Sequence, residues 1–348
     1  MEQKTPYKTH GRIIQRVPKT DANKYGVKTV RHVPVSTPAV VIFGGELTDT
    51  IKDANYYASL MSKLLKFYNI NGVNIYSVYY DFDTDDRSSE RIAAFIKARS
   101  KLLNKMKQPE KIQDTSYIQQ LYNIVVRPRI IGHSGEKLDD NRALRNVRNL
   151  IIFTHSHGSA PVRAFQDIML KDMRDAGYER TTIRNIMKNI FVVQHAPMSP
   201  LEKSQFNTVS FMSADDTQMD FHNKFSEYLF KQNADLWPSY FSLGNLFAVY
   251  SITEESFAEH SIVGLLPNID QEKLTADGAI IMAAERNSII NGIRATQGKQ
   301  PIPPVRDLIT NASSKDPITP DFDLLKRCGD FFMRVMENDL RTTKNTSR

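Results

Sequence analysis

From Pro38 onward, short apolar runs rich in β-branched residues alternate with longer stretches in which apolar positions recur every three or four residues. A continuous apolar run suits a strand covered on both sides, and the longer period suits a helix that buries one face. The alternation predicts an α/β fold, with a mostly parallel central sheet and helices on both faces. Ala39 to Phe43 reads as a buried strand ending at Gly44-Gly45. A helix from about Asp53 to Tyr68 follows, with Leu60, Met61, Leu64, Leu65 and Tyr68 on one side. Val73 to Tyr80 is the next strand, Arg87 to Gln108 a charged surface helix, and an irregular segment leads to Ile124-Val125-Val126. Asp140 to Arg148 reads as a helix feeding the strand Leu150 to Phe153, and further strands are expected at Ile190 to Val193, Thr208 to Met212 and Leu246 to Ile252. Beyond about Asp270 the pattern is helical. The last helix has Thr319 as N-cap, Pro320 in the first turn, and a stripe from Leu324 to Met336 that includes Cys328.

Composition sharpens this picture. With 348 residues, 41% of them apolar, the chain can bury a large core, which excludes a disordered protein. Cys328 is the only cysteine, so an internal disulfide and a cysteine-rich metal site are excluded and a reducing, cytoplasmic compartment is expected, with export lacking a cleaved signal as the alternative. No stretch reaches the ~18 consecutive apolar residues of a membrane-spanning helix, so a soluble chain is expected. The net charge of +7 is concentrated at one end: Met1 to Val35 holds eight Lys/Arg against Glu2 and Asp21. This predicts three parts: a basic, flexible arm at residues 1–36, a domain at 37–269 with an enlarged segment at 81–148, and a helical extension at 270–348. The arm reads as a solvated tail wrapping the domain, or as a targeting signal or weak contact with an acidic surface. No nucleic-acid motif accompanies it.

Three stretches invite chemical readings. The acidic loop Asp81-Phe82-Asp83-Thr84-Asp85-Asp86 opens like a calcium loop, but positions six and twelve, which need Gly and Glu, are Asp86 and Ile92. Gly132-His133-Ser134-Gly135 has neither a strand leading straight into it nor a helix straight after it, and reads as a loop. Thr154-His155-Ser156-His157-Gly158 has both. In an extended segment His155 and His157 would lie on one side and could share a metal. The motif is similar to the metallo-β-lactamase signature, yet Ser159 and Ala160 stand where that signature's further Asp and His should be. The other reading makes Ser156 a nucleophile: apolar strand, tight turn with serine at its centre, then a helix opening with Gly158, Ser159 and Ala160. A sharp turn holds such a serine exposed above the sheet, and small neighbours let strand and helix approach.

On these residues the chain resembles the α/β-hydrolase superfamily, with Thr154 in place of the first glycine of G-x-S-x-G. The resemblance covers about residues 37 to 265. It implies a triad in the order Ser, acid, His. The acid is expected two strands on, in Ser213-Ala214-Asp215-Asp216, where Asp216 aligns best and Asp215 is the alternative; His260 is expected beyond the last strand. It also implies an oxyanion hole made by the His157 amide and the amide of Gly45 or Glu46. The implied activity is hydrolysis of a small-molecule or lipid ester, or a thioester, through an acyl-enzyme with no cofactor and no metal. Two other readings remain: an inactive hydrolase fold serving as a binding module, and a metal-dependent hydrolase using His155 and His157. Residues 81–148 or the C-terminal helices are expected to cover the site.

Overall fold

The computed structural model describes residues 10–18, 25–45, 48–81, 116–132, 134–197, 205–213, 245–249 and 276–302. Its strands are β1 (His10–Pro18), β2 (Tyr25–Val30), β3 (Ala39–Phe43), β4 (Asn74–Asp81), β5 (Leu150–His155), β6 (Phe191–His195), β7 (Asn207–Ser213) and β8 (Asn245–Val249). They form one sheet in the order β2-β1-β4-β3-β5-β6-β7-β8. From β4 to β8 every neighbouring pair is parallel, while β1 is antiparallel to both β2 and β4. The fold is therefore α/β, with a mostly parallel sheet.

Six helices accompany the sheet among the described residues: α1 (Ile51–Phe67), α2 (Ser116–Val125), α3 (Asp140–Arg148), α4 (Ser159–Asp175), α5 (Arg180–Lys188) and α6 (Ala276–Thr296). Alternation along each strand sorts the core onto two faces. Val41, Phe43, Val78, Ile152 and Val192 pack with residues of α2 to α5. Val40, Ile42, Ile151, Phe153, Val193 and Phe211 pack with residues of α1 and α6. No described helix is long and apolar enough to cross a membrane.

The N-terminal stretch corrects one expectation. It is not a flexible arm up to residue 36; His10–Pro18 and Tyr25–Val30 are an antiparallel hairpin that extends the sheet. The reason lies in the adjacent pair Ile13-Ile14. Strand side chains alternate, so Ile13 enters the α2 side while Ile14 packs with Ala54 and Tyr79 on the α1 side, and both are fully buried. The surrounding charges hid this pattern. Arg12, Lys28 and Arg31 point to solvent, and Arg16 Nη1 donates to Asn55 Oδ1 at 3.3 Å.

The segment leading to Ile124-Val125-Val126 was expected to be irregular, and is helical as α2. The helix expected at Asp140 to Arg148 has those limits, with Asp139 as its N-cap, accepting from the amides of Asn141 and Arg142. Ile131 and Lys137 form an antiparallel bridge, inside which the Gly132 N–H donates to the Glu136 carbonyl and the Gly135 N–H to the Gly132 carbonyl. The charged helix at 87–108, the acidic loop beyond Asp81 and the helix beginning at Thr319 lie outside the described residues.

Candidate active site

Ser156 is the first residue after β5, a strand flanked by β3 and β6 near the middle of the sheet. Its φ is +49°, the left-handed region that non-glycine residues rarely enter. A short turn, Ser156–Gly158, then delivers the chain into α4 at Ser159. The Ser159 hydroxyl donates to the Ser156 carbonyl at 2.8 Å, which ties down the turn. Such a conformation costs of order 1–3 kcal/mol and persists only where its surroundings enforce it.

Gly158 is part of that enforcement. A Cβ there would lie 2.1 Å from the Phe43 carbonyl oxygen and 2.8 Å from that of Gly44, so turn and β3 meet backbone to backbone. Thr154, standing at the first flanking position, is fully buried. The His157 amide belongs to the turn that opens α4, where backbone N–H groups and the helix dipole favour negative charge.

The two histidines of the motif part company. Their expected shared side relied on the period of a strand, but β5 ends at His155 and the backbone turns at Ser156. The His155 ring lies against Tyr57 and His195, on the α1 and α6 side. The His157 ring meets Tyr80 edge-on, and Tyr80 belongs to the core under α2 to α5. Among the described residues no group of three or more His, Cys, Asp or Glu is arranged to hold a metal ion.

His155 instead joins a buried polar file that the sequence did not reveal. The Gly45 N–H donates to Tyr57 Oη at 3.0 Å, and Tyr57 Oη lies 2.7 Å from His155 Nδ1. An amide can only donate, so the tyrosine oxygen accepts from Gly45, and the direction of its bond to His155 follows the imidazole tautomer. Burial raises the Tyr57 pKa and keeps it a phenol. One strand over, His195 is the register partner of His155, and its Nδ1 lies 2.8 Å from Glu285 Oε2 of α6 in a wholly buried pair. Glu285 is the one carboxylate between Ile280 and Ile290, a cue that it has a buried partner. Tyr57 carried no such cue. Tyr57→Phe removes the acceptor from a buried amide and is expected to cost roughly 1–2 kcal/mol, measured by urea unfolding.

Of the other expected site residues, Glu46, Asp215, Asp216 and His260 lie outside the described residues. The strands that lead toward the last three are described. β7 ends at Ser213, just ahead of Asp215 and Asp216, and β8 ends at Val249 on the way to His260. Gly45 is described, with its amide held by Tyr57.

No family model and no curated protein matches the chain. Among solved structures the chain is similar to MGS-M1, an alpha/beta hydrolase enzyme from a Medee basin deep-sea metagenome library, at 12% identity, covering 69% of this chain and 82% of that one with a TM-score of 0.24. The α/β assignment rests on the strand order and helix placement described above.

Proposed function

We propose that the chain is a serine hydrolase of the α/β-hydrolase type that cleaves a carboxylic ester or thioester through an acyl-enzyme. The observation that carries this reading is Ser156 itself: a non-glycine residue at φ +49°, directly after a central parallel strand and directly before a helix turn. A strained serine between strand and helix is the arrangement of a nucleophile elbow. His260 acts as general base, Asp216 or its neighbour Asp215 orients the imidazole, and water releases the acyl group in the second half-reaction.

The oxyanion donors are the His157 amide and a second amide from the loop after β3. Because the Gly45 N–H is engaged by Tyr57, the Glu46 amide becomes the first candidate for that second donor. A well-aimed donor contributes roughly 10²- to 10³-fold in rate. The divergence of His155 and His157 weighs against the metal-dependent alternative.

A fluorophosphonate probe tests the reading, because it forms a covalent adduct only with an activated serine. The wild-type protein is expected to label, Ser156→Ala and His260→Ala to lose labelling, and a chelator to leave it unchanged. A folded wild type that stays unlabelled would overturn the proposal in favour of a scaffold without this chemistry.

A further inference from the structure

The large apolar side chains left exposed among the described residues are four: Val27, Ile51, Tyr56 and Phe67. Scattered singly they would call for no explanation. Two of them, Tyr56 and Phe67, lie three turns apart and share one flank of the solvent face of α1. Three lie on α1, and Val27 lies on β2, opposite Arg16, whose guanidinium reaches Asn55 and Ser59 of that helix.

Among the described residues of β1, β2 and α1, the exposed charged side chains are all positive. The solvent face of α1 carries Lys52, Lys63 and Lys66, and the hairpin adds Arg12 on the same side of the sheet, with the exposed Arg31 just after β2. Across β1, β2 and α1 there is a single carboxylate, Asp53, and it is held in the capping box at Thr50. Aromatic and aliphatic side chains interspersed with lysines, with no free acid between them, are the composition of a helix lying in the headgroup region of an anionic bilayer. The lysine stems extend along apolar surface while their ammonium groups stay with lipid phosphates. A protein partner fits less well, because protein interfaces concentrate apolar residues at a core and are depleted in lysine.

We infer that the solvent face of α1 and the edge hairpin dock the protein on an anionic lipid surface. The surface adjoins the candidate site. Tyr56 packs edge-on against Tyr57, and Tyr57 connects to His155 and Gly45 beside Ser156. The inference rests on the proposed function only in naming a substrate class: acyl esters held in a lipid layer. The docking itself is independent of Ser156.

The test is sedimentation of the full chain with vesicles of phosphatidylcholine alone and with phosphatidylglycerol added. The chain is expected to sediment with the anionic vesicles, to be released as salt is raised, and to ignore the neutral ones. Each lysine beside such a surface contributes about fivefold, so Lys52→Gln/Lys63→Gln/Lys66→Gln is expected to weaken partitioning roughly a hundredfold. Tyr56→Ser/Phe67→Ser is expected to weaken vesicle binding while leaving attraction to a short DNA duplex unchanged. Ser156→Ala is expected to bind vesicles as wild type does, so loss of probe labelling and loss of docking are separable. Equal binding to neutral vesicles, a triple variant that binds as wild type, or an aromatic variant with unaltered vesicle binding would each overturn the inference. The last outcome would reduce the surface to a polyanion patch.

Discussion

Gly158→Ala is expected to destabilise the protein by about 3 kcal/mol and to lower fluorophosphonate labelling of Ser156 even at temperatures where the variant is fully folded. The effect is steric rather than conformational. Gly158 has φ −59°, which alanine adopts freely, but the added Cβ would sit 2.1 Å from the Phe43 oxygen and 2.6 Å from its carbonyl carbon. Those atoms cannot step aside, because Phe43 is paired in register with Val78 of β4 on one side and Thr154 of β5 on the other. The turn must therefore lift away from β3, carrying Ser156 with it. Gly177→Ala provides the contrast. That glycine has φ +79° and open space around its would-be Cβ, so alanine there costs about 1 kcal/mol through backbone strain and leaves labelling intact. Urea unfolding of both variants beside probe labelling separates the two mechanisms. A Gly158→Ala protein as stable and as reactive as wild type would show that β3 does not brace the serine turn.

The parts of this fold legible in the sequence were those where a local pattern alone decides. β5 and α3 were read with nearly their observed limits, because a run of apolar β-branched residues and an Asp-capped amphipathic helix allow few other structures. The hairpin was misread because eight cations in thirty-five residues outweighed two adjacent isoleucines. Once β1 lies between β2 and β4, those isoleucines are buried on opposite faces while Arg12, Lys28 and Arg31 stay exposed. The expected shared side of His155 and His157 was lost because β5 stops two residues short of His157: had the strand continued that far, the rings would have shared a face. Tyr57 and Glu285 were invisible for another reason. Their partners lie 98 and 90 residues away, and such juxtapositions arise only when α1 and α6 pack on the same side of the sheet.

Arg129 is the other residue whose role only the folded chain discloses, and Arg129→Met is expected to cost about 3–5 kcal/mol, the range for breaking a buried charged network. Its guanidinium is fully buried, and its described hydrogen bonds all run to backbone carbonyls. Nε donates to Val125 at 3.1 Å, Nη1 to Asn146 at 2.7 Å and Nη2 to Pro34 at 3.1 Å. Val125 ends α2 and Asn146 lies in the last turn of α3, so the cation caps two helix C-termini, where backbone dipoles supply partial negative charge. Burial pulls the Arg129 pKa down to about 10, still far above neutrality, so the charge persists. Methionine fills much of the volume but leaves the buried carbonyls of Val125 and Asn146, and the half-buried one of Pro34, without their donor, each buried one costing roughly 1–3 kcal/mol, partly offset because no charge need then be desolvated. Arg129→Lys is expected to recover only part of the loss, since one ammonium cannot span three carbonyls set around a planar fork. Equilibrium urea unfolding gives the totals. Because Pro34 lies in the β2–β3 connection, proteolysis of the methionine variant is expected to cut first between residues 116 and 148, the segment this arginine fastens to the sheet; cleavage no faster than in wild type would mean that the core under α2 and α3 holds it alone.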